Sequence, residues 1–340
     1  MKFTALSKRS LIWVGVAFSV VAALIAYITI SSSLHQTLRW QDDEYLHVSK
    51  GQSFNSLCQT LIKRSVVADC FGHKVMGRLG LQQLSIKSGT YEIDSTASLQ
   101  ALVDKLVEGN EVQLPITIVE GENIYQVLDK LARASGINND LQGLSLTEIA
   151  DKLSIEQSHP EGYLFPETYH YTFGTSASEL LKRAVVKQKT MIDSIWQAAE
   201  DKQGLKNSYE MLILASIIEK ESSLHAERDL IASVFFNRLA RKMRLQTDPT
   251  VIYGVWEEYK GDITRAHLRQ KTPYNTYRIN GLPPSPIANP SEASMRAVMN
   301  PAQSDYLYFV ASGDGNHVFS KTLEQHNKAL KAYLEKMRSS

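Results

Sequence analysis

The sequence predicts an α+β protein that begins with one membrane-spanning helix. Three observations lead to this class. Leu11 to Ile30 forms an uncharged apolar run of full membrane-span length. Apolar residues recur at helical three- and four-residue spacing in many later segments. Short strand-like segments, such as Tyr45 to Val48 and Tyr306 to Val310, stand between these helical patterns.

Composition limits the function classes that the chain can belong to. The chain has 340 residues, of which 43% are hydrophobic and 21% are charged, as in a folded protein of about two domains. Lys and Arg total 37 against 36 Asp and Glu, a formal net charge of +1. A general nucleic-acid binder would carry a basic excess, so we expect no nucleic-acid partner.

The apolar run predicts a transmembrane anchor at residues 11–30, because twenty helical residues span a hydrocarbon core of about 30 Å. Lys2, Lys8 and Arg9 precede it without an acidic neighbour, which leaves 34 basic and 36 acidic residues after it. Positive charge stays on the cytoplasmic side. Residues 1–10 are therefore predicted to be a cytoplasmic tail and the rest to be exported. The alternative is a cleaved signal peptide, since Ser31 to Ser33 can imitate its cleavage site.

Residues 41–110 predict a small first domain of strand, helix, helix and strand. Tyr45 to Val48 alternates like a strand, Gly51 to Ser53 supplies a turn and a helix cap, and Gly89 to Ile93 reads as a returning strand. A second short helix is expected over Cys70 to Leu79. The order resembles the LysM-type fold that binds glycan chains, and a plain spacer domain is the alternative.

Cys58 and Cys70 are the only cysteines of the chain. Twelve positions apart in an oxidising compartment, they can bridge two neighbouring helices or remain two separate buried thiols. Neither cysteine has the neighbours of a zinc site, and the nine histidines show no paired metal-binding spacing, so no metal is predicted.

Residues 111–340 predict a larger mixed domain. After a strand over Gln113 to Val119, long helical patterns run from Gly121 to about Ala134 and then over residues 178–199, 208–224 and 227–242. The final helix is expected from Leu323.

The helix over residues 208–224 carries the strongest chemical signal, because its nearly apolar run ends in Glu219 and Glu221. At 100° per residue, these two side chains point about 200° apart and cannot act as a facing pair. Glu221 follows the aliphatic stripe of Leu214, Ile217 and Ile218. A carboxyl held against apolar groups has a raised pKa and suits a general acid, whereas two solvated glutamates at a helix end are the alternative.

The string Ala215 to Ser222 strongly resembles the ASIIEKE helix of the MltG (YceG-like) endolytic lytic transglycosylases. Further strings match that family in the same order, namely Val119–Gly121, Glu161–Thr168, Arg244–Gly254, Tyr274–Tyr277, Gly281–Pro284 and Tyr306–Val310. Seven ordered blocks over nearly the whole chain make the resemblance specific.

The resemblance implies a cell inner-membrane enzyme that cuts peptidoglycan glycan strands internally, between N-acetylmuramic acid and N-acetylglucosamine, on nascent strands that synthases extrude. It implies Glu221 as the single catalytic residue, with Ser222 completing a Glu-Ser pair like that of lysozyme-like transglycosylases. No cofactor is required, because the 6-hydroxyl of muramic acid attacks the anomeric carbon and leaves a 1,6-anhydro end.

Polar and aromatic residues in the same blocks are the predicted substrate contacts. Aromatic rings that can stack on sugars and polar side chains that can bond N-acetyl or hydroxyl groups are Tyr163, Tyr274, Tyr277, Gln246, Asn275 and Thr276. For Tyr163, packing beside Pro166 is the favoured alternative.

Asp248 has three interpretations, since it can cap a helix, position the substrate or act as a second catalytic carboxylate. Glu167 is a weaker candidate of the same kind. A second catalytic carboxylate would make the protein a hydrolysing muramidase. A membrane-anchored glycan-binding scaffold without turnover is the alternative from another class.

Overall fold

The computed structural model describes residues 8–40, 45–94, 96–221 and 225–339. The chain divides into two compact units, residues 1–114 and residues 115–340. The sequence predicts the boundary between the two domains four residues earlier, between residues 110 and 111. Lys2 of the expected cytoplasmic tail lies outside the described residues.

Helix α1 (Lys8–Leu34) contains the apolar run. Within the described ranges it is the one helix long and apolar enough to cross a membrane, with a mean hydropathy of 2.2 in its Ile12–Leu34 stretch. Its large apolar side chains, such as Phe18 and Val20, are exposed. The predicted N-terminal apolar helix is therefore confirmed, and the helix continues beyond the predicted end at Ile30.

The rest of the first unit has the predicted order of strand, two helices and strand, followed by one more helix. Its elements are β1 (Tyr45–Val48), α2 (Phe54–Lys63), α3 (Phe71–Arg78), β2 (Gly89–Glu92) and α4 (Leu99–Glu108). Strands β1 and β2 are antiparallel, with Leu46 opposite Tyr91. Leu57, Leu61 and Leu99 are buried in one core, since the apolar faces of α2 and α4 turn inward.

A disulfide joins Cys58 of α2 to Cys70, the residue before α3, with 6.3 Å between their Cα atoms. Of the two alternatives that the sequence left open, the structure has the bridge. It ties the start of α3 to the buried face of α2.

The second unit is mainly helical, with two short two-stranded sheets. Its elements are β3 (Leu114–Thr117), which begins at the unit boundary, α5 (Ile124–Arg133), α6 (Leu146–Lys152), β4 (Thr168–Tyr171), α7 (Ala177–Ala198), α8 (Ser208–Glu221), a 3₁₀ turn (His225–Glu227), α9 (Arg228–Ala240), α10 (Asp248–Gly254), α11 (Arg265–Arg269), α12 (Glu292–Met299), β5 (Tyr308–Ala311), β6 (His317–Ser320) and α13 (Leu323–Ser339). Strand β3 pairs with β4, and β5 pairs with β6.

Helix α8 lies at the centre of this unit. Every residue from Met211 to Ile218 is buried, and the helix packs against α7, α9, α10 and α12. A helix that is apolar on all sides must be covered on all sides. The core therefore fixes the position of the C-terminal end of α8, where the two glutamates lie.

The β5–β6 hairpin packs against α13, the last helix of the chain, and its strand β5 also contacts α9. Phe309 lies opposite Phe319, and Ala311 lies opposite His317. The strand expected over Tyr306 to Val310 thus begins two residues later, at Tyr308. The hairpin places Tyr308 and His317 on the same small sheet.

Candidate active site

Glu219 is a buried carboxylate that is neutralised inside the protein. Its side chain is 5% exposed, and the Arg228 Nη2 atom donates to its Oε1 across 2.8 Å. The Ser291 backbone N–H and hydroxyl donate to its Oε2. These contacts join the end of α8 to the starts of α9 and α12. Glu219 therefore stabilises the fold by joining these three helices.

Glu221, two residues later, lies in a different environment. The Thr247 hydroxyl donates to its Oε1. Within the described ranges no Lys or Arg makes an ion pair with it. Burial raises the pKa of this carboxyl, and the negative charge of Asp248 raises it further. The Thr247 hydrogen bond, the neighbouring His317 and the positive charge of Arg238 oppose this shift and only partly cancel it.

A chain of hydroxyl groups holds Thr247 against Glu221. The Thr247 backbone N–H donates to Thr276 Oγ1 across 3.0 Å, and the Thr250 hydroxyl donates to the Thr247 carbonyl across 2.7 Å. The hydroxyls of Thr250 and Thr276 are also 2.8 Å apart. All three threonines are buried. Thr247, the donor to Glu221, is thus held in place by hydrogen bonds to its own backbone.

Glu221 lines a cavity of about 590 Å³, a size typical of ligand pockets. It lies between the end of α8, the segment before α10, the β5–β6 hairpin and α13. Its polar and aromatic lining is formed by Glu221, Arg238, Gln246, Asp248, Tyr277, Tyr308, Phe309, His317, His326 and Asn327. A larger cavity between β6 and α13 is lined by no carboxylate.

Asp248 does not cap the helix that it begins. Thr247 occupies the cap position, and Asp248 is the first residue of α10 with Pro249 after it. The Tyr277 hydroxyl donates to the exposed Asp248 carboxylate across 2.7 Å. The capping interpretation was therefore wrong, and the carboxylate is directed to the cavity side.

Arg238 and His317 line the cavity and are both held by other groups. Arg238 Nε donates to the Leu307 carbonyl across 2.6 Å, and its guanidinium lies 5.1 Å from the centre of the Tyr308 ring. His317 Nδ1 lies 2.7 Å from a Glu227 carboxylate oxygen, and the His317 backbone N–H donates to the other oxygen. Because a carboxylate only accepts hydrogen bonds, this contact places the ring proton on Nδ1.

Three predicted substrate contacts, Gln246, Asp248 and Tyr277, line the cavity beside Glu221. Asn275 and Thr276 do not, since both have 0% exposed surface. Asn275 Nδ2 donates to the carbonyls that end α11, including that of Gln270 across 2.7 Å. These two residues fix the loop that carries Tyr277.

The other predicted residues lie apart from the cavity lining. Tyr274 bonds Ser285 and meets the Tyr253 ring edge-on at 4.8 Å between centroids. Tyr163 is buried and stacks on Tyr209. Glu167 is exposed and pairs with a lysine of α7. Ser222 lies outside the described residues.

Sequence reasoning did not name Thr247, Arg238, Tyr308, Glu227 or His317 as site residues. Thr247 stands directly before Asp248 in the Arg244–Gly254 block, so its place in that block could have indicated a site residue. His317 gave none, because its carboxylate partner is 90 positions away in the chain.

Comparison with known proteins decides the family. The model of the YceG-like family matches residues 46–332. The chain belongs to the YceG-like family. This confirms the resemblance drawn from the seven sequence blocks.

Among related proteins of this family, an endolytic murein transglycosylase of Bacillus subtilis (strain 168) is 34% identical over 310 residues, covering 85% of this chain and 84% of that protein. The endolytic murein transglycosylase of Streptococcus pneumoniae serotype 2 (strain D39) is 28% identical over 276 residues. This match covers 72% of the chain and 50% of the pneumococcal protein, so the chain spans about half of that relative's length.

A crystal structure of a yceG-like protein from Listeria monocytogenes is also similar. The two chains are 32% identical, with a TM-score of 0.52 over 84% of this chain and 98% of the other. The YceG-like fold thus includes both units described above.

Proposed function

We propose that this YceG-like protein is an endolytic lytic transglycosylase that cuts the bond between N-acetylmuramic acid and N-acetylglucosamine within peptidoglycan strands. The observation that carries the proposal is Glu221, a carboxyl with a raised pKa and no cationic partner in the described ranges, at the wall of a ligand-sized cavity. The names of the Bacillus and Streptococcus relatives support the same activity.

Protonated Glu221 is the general acid of the proposed reaction. It gives its proton to the glycosidic oxygen as the bond from that oxygen to the muramic acid C1 breaks. The resulting carboxylate then takes the proton of the 6-hydroxyl as that oxygen bonds to C1. The 1,6-anhydro ring closes, and Glu221 ends protonated as it began. Thr247 orients the carboxyl through both steps and stabilises its ionised form.

Asp248 is the proposed stabiliser of positive charge on the sugar. Its carboxylate lies on the same cavity as Glu221 and is held by Tyr277. A negative charge beside the oxocarbenium-like ring lowers the barrier without forming a bond. If Asp248 instead activated water, the enzyme would be a muramidase, and its products would lack anhydro ends.

His317 is proposed to position the sugar, with Glu227 as its support. The carboxylate holds Nδ1–H, which leaves Nε2 as an acceptor for a substrate hydroxyl. Gln246 adds an amide to the lining of the same cavity. The site then holds the substrate by hydrogen bonds, as an uncharged glycan backbone requires.

The first unit is proposed to be a LysM-like glycan-binding domain. Its strand, helix, helix and strand order with an antiparallel strand pair supports this role. Retention of the unit on insoluble peptidoglycan tests it. A protein that loses no affinity when this unit is replaced by a flexible linker would have only a spacer there.

The protein is proposed to be a single-pass inner-membrane protein with its N-terminus in the cytoplasm and both units in the periplasm. The three basic residues before the span support the orientation, and the Cys58–Cys70 bridge fits an oxidising compartment. Ser33 is buried and donates to Asp69 of the first unit, which favours an anchor over a cleaved signal peptide. Peptidoglycan synthases at the same membrane are the proposed partners.

The test of the activity is product analysis. The full chain in detergent is incubated with purified peptidoglycan, and fragments are identified by mass spectrometry. Internal cuts with 1,6-anhydro-muramic ends are expected from the wild type and from Glu210→Gln, a control in the half-buried first turn of α8. Glu221→Gln is expected to give none. Reducing ends without anhydro rings, or retained activity in Glu221→Gln, would refute the proposal.

A further inference from the structure

The outer end of α1 sets the height of the first unit above the bilayer. The twenty apolar residues from Leu11 to Ile30 span about 30 Å at 1.5 Å per residue, which equals the hydrocarbon thickness. The remaining turn, Ser31 to Leu34, rises about 6 Å further and therefore lies in the headgroup layer. Tyr27, 70% exposed, lies one turn below Ile30, as interfacial aromatic residues do.

Helix α3 packs against this same turn. A Cβ atom added to Gly72 would lie 2.7 Å from the Ile30 carbonyl oxygen and 3.0 Å from Leu34 Cγ, so only glycine permits the approach. The Gly72 backbone N–H donates to Ser33 Oγ across 2.9 Å. The start of α3 is therefore held at the depth of the lipid headgroups.

One face of α3 is exposed at that depth and has the composition of an interfacial helix. Phe71, Lys74 and Arg78 fall within about 60° of one another around the helix. All three are exposed, and Phe71 keeps 51% of its surface. His73, on the opposite side, is buried beside the Phe54 ring. From residue 70 to residue 91 the sequence contains no acidic residue.

We infer that α3 is a second membrane contact, in which Phe71 inserts at the outer headgroup boundary while Lys74 and Arg78 bind anionic lipid headgroups. The inference rests on the proposed anchor and goes beyond it, because a bare anchor leaves the first unit free to tilt. Two contacts on one rigid unit hold it flat on the bilayer surface. An exposed aromatic ring beside the span and two basic side chains fit lipid better than a sugar surface.

Site-specific photocrosslinking tests the inference. The full chain is placed in vesicles of phosphatidylcholine with or without phosphatidylglycerol, and p-benzoylphenylalanine replaces one residue at a time. Position 71 is the test site. Position 20, in the middle of α1, reports the anchor itself. Position 62, an exposed apolar residue of α2, is the matched control within the same unit.

Lipid adducts are expected at positions 20 and 71 and not at position 62. The yield at position 71 should be higher with phosphatidylglycerol, and the double variant Lys74→Gln with Arg78→Gln should lower it to the level in neutral vesicles. Thermal unfolding followed by circular dichroism checks the folding of each variant. Adducts at position 20 without adducts at 71, or a crosslinked dimer through 71, would overturn the inference. Loss of adducts at position 20 would instead refute the proposed anchor.

Discussion

Replacing each glutamate of the pair at the end of α8 separates a structural carboxylate from a catalytic one. Glu219→Gln removes the charge that neutralises Arg228, and both side chains are at most 5% exposed. Breaking a buried ion pair from one side costs about 3–5 kcal/mol, because the remaining charge stays desolvated. For a unit of this size, each kcal/mol lowers Tm by about 2–4 °C, so a fall of about 6–20 °C is expected.

Glu221→Gln should behave in the opposite way. The Gln side chain keeps the shape of Glu, and its amide oxygen still accepts from Thr247. A carboxyl whose pKa is raised by burial gives no stability that the neutral amide would lose. Stability should therefore stay within about 0.5 kcal/mol of the wild type, while loss of the general acid lowers turnover by about 10²–10⁴-fold.

Thermal unfolding by circular dichroism and turnover of purified peptidoglycan measure the two effects on the same preparations. At a temperature where Glu219→Gln is fully folded, it should retain measurable turnover with anhydro-ended products. A Glu219→Gln protein as stable as the wild type but inactive would refute this assignment. So would a Glu221→Gln protein that melts early, because its loss of activity would then have a structural cause.

Three further predictions concern other charged and bridged residues. Burial raises the pKa of Glu161 to about 8, so the native state holds a proton that the unfolded chain loses near pH 4.5. The free energy of unfolding should therefore fall as pH rises between these two values. Glu161→Gln should flatten that dependence when Tm is measured as a function of pH. Asp248→Asn should lower kcat about 10²–10³-fold and leave the products anhydro-ended, and a change to hydrolysed ends would contradict its role as a charge stabiliser. Replacing Cys58 and Cys70 by Ala should destabilise the first unit by about 3 kcal/mol, seen as faster hydrogen exchange there, with no change in the second unit.

Long periodic segments of this chain could be predicted from sequence, and so could strands β1, β2, β3 and β5, whereas β4 and β6 could not. The patterns for α5, α7, α8 and α9 matched the structure within a few residues, because each buries a continuous apolar face. Strand β4 pairs with β3, about fifty residues earlier, and neither strand exceeds four residues. Sequence reasoning assigned no strand to Thr168–Tyr171, and the pairing with β3 makes that segment a strand.

The candidate site shows the same limit in its polar residues. The 200° between Glu219 and Glu221 indicated two different environments, and the structure has them. Asn275 and Thr276 looked like substrate contacts because polar residues in a loop usually face solvent. Here they are buried instead, because Asn275 donates to the carbonyls at the end of α11 and Thr276 accepts from the Thr247 backbone N–H before α10, two needs that the backbone does not meet. Polarity alone does not tell a ligand contact from a hydrogen bond that holds a loop.

The ion pair of Arg228 with Glu219 explains how one helix end can carry both a permanent carboxylate and a titrating one. The last turn of α8 carries the negative end of the helix dipole, which disfavours ionisation of both glutamates. Glu219 overcomes this through Arg228 and two donors from Ser291. Among the described residues, Glu221 has one neutral hydroxyl donor, which orients the carboxyl without holding it ionised. A group that must give a proton and take one back in a single turnover needs this weaker support, because a full ion pair would fix it as a base.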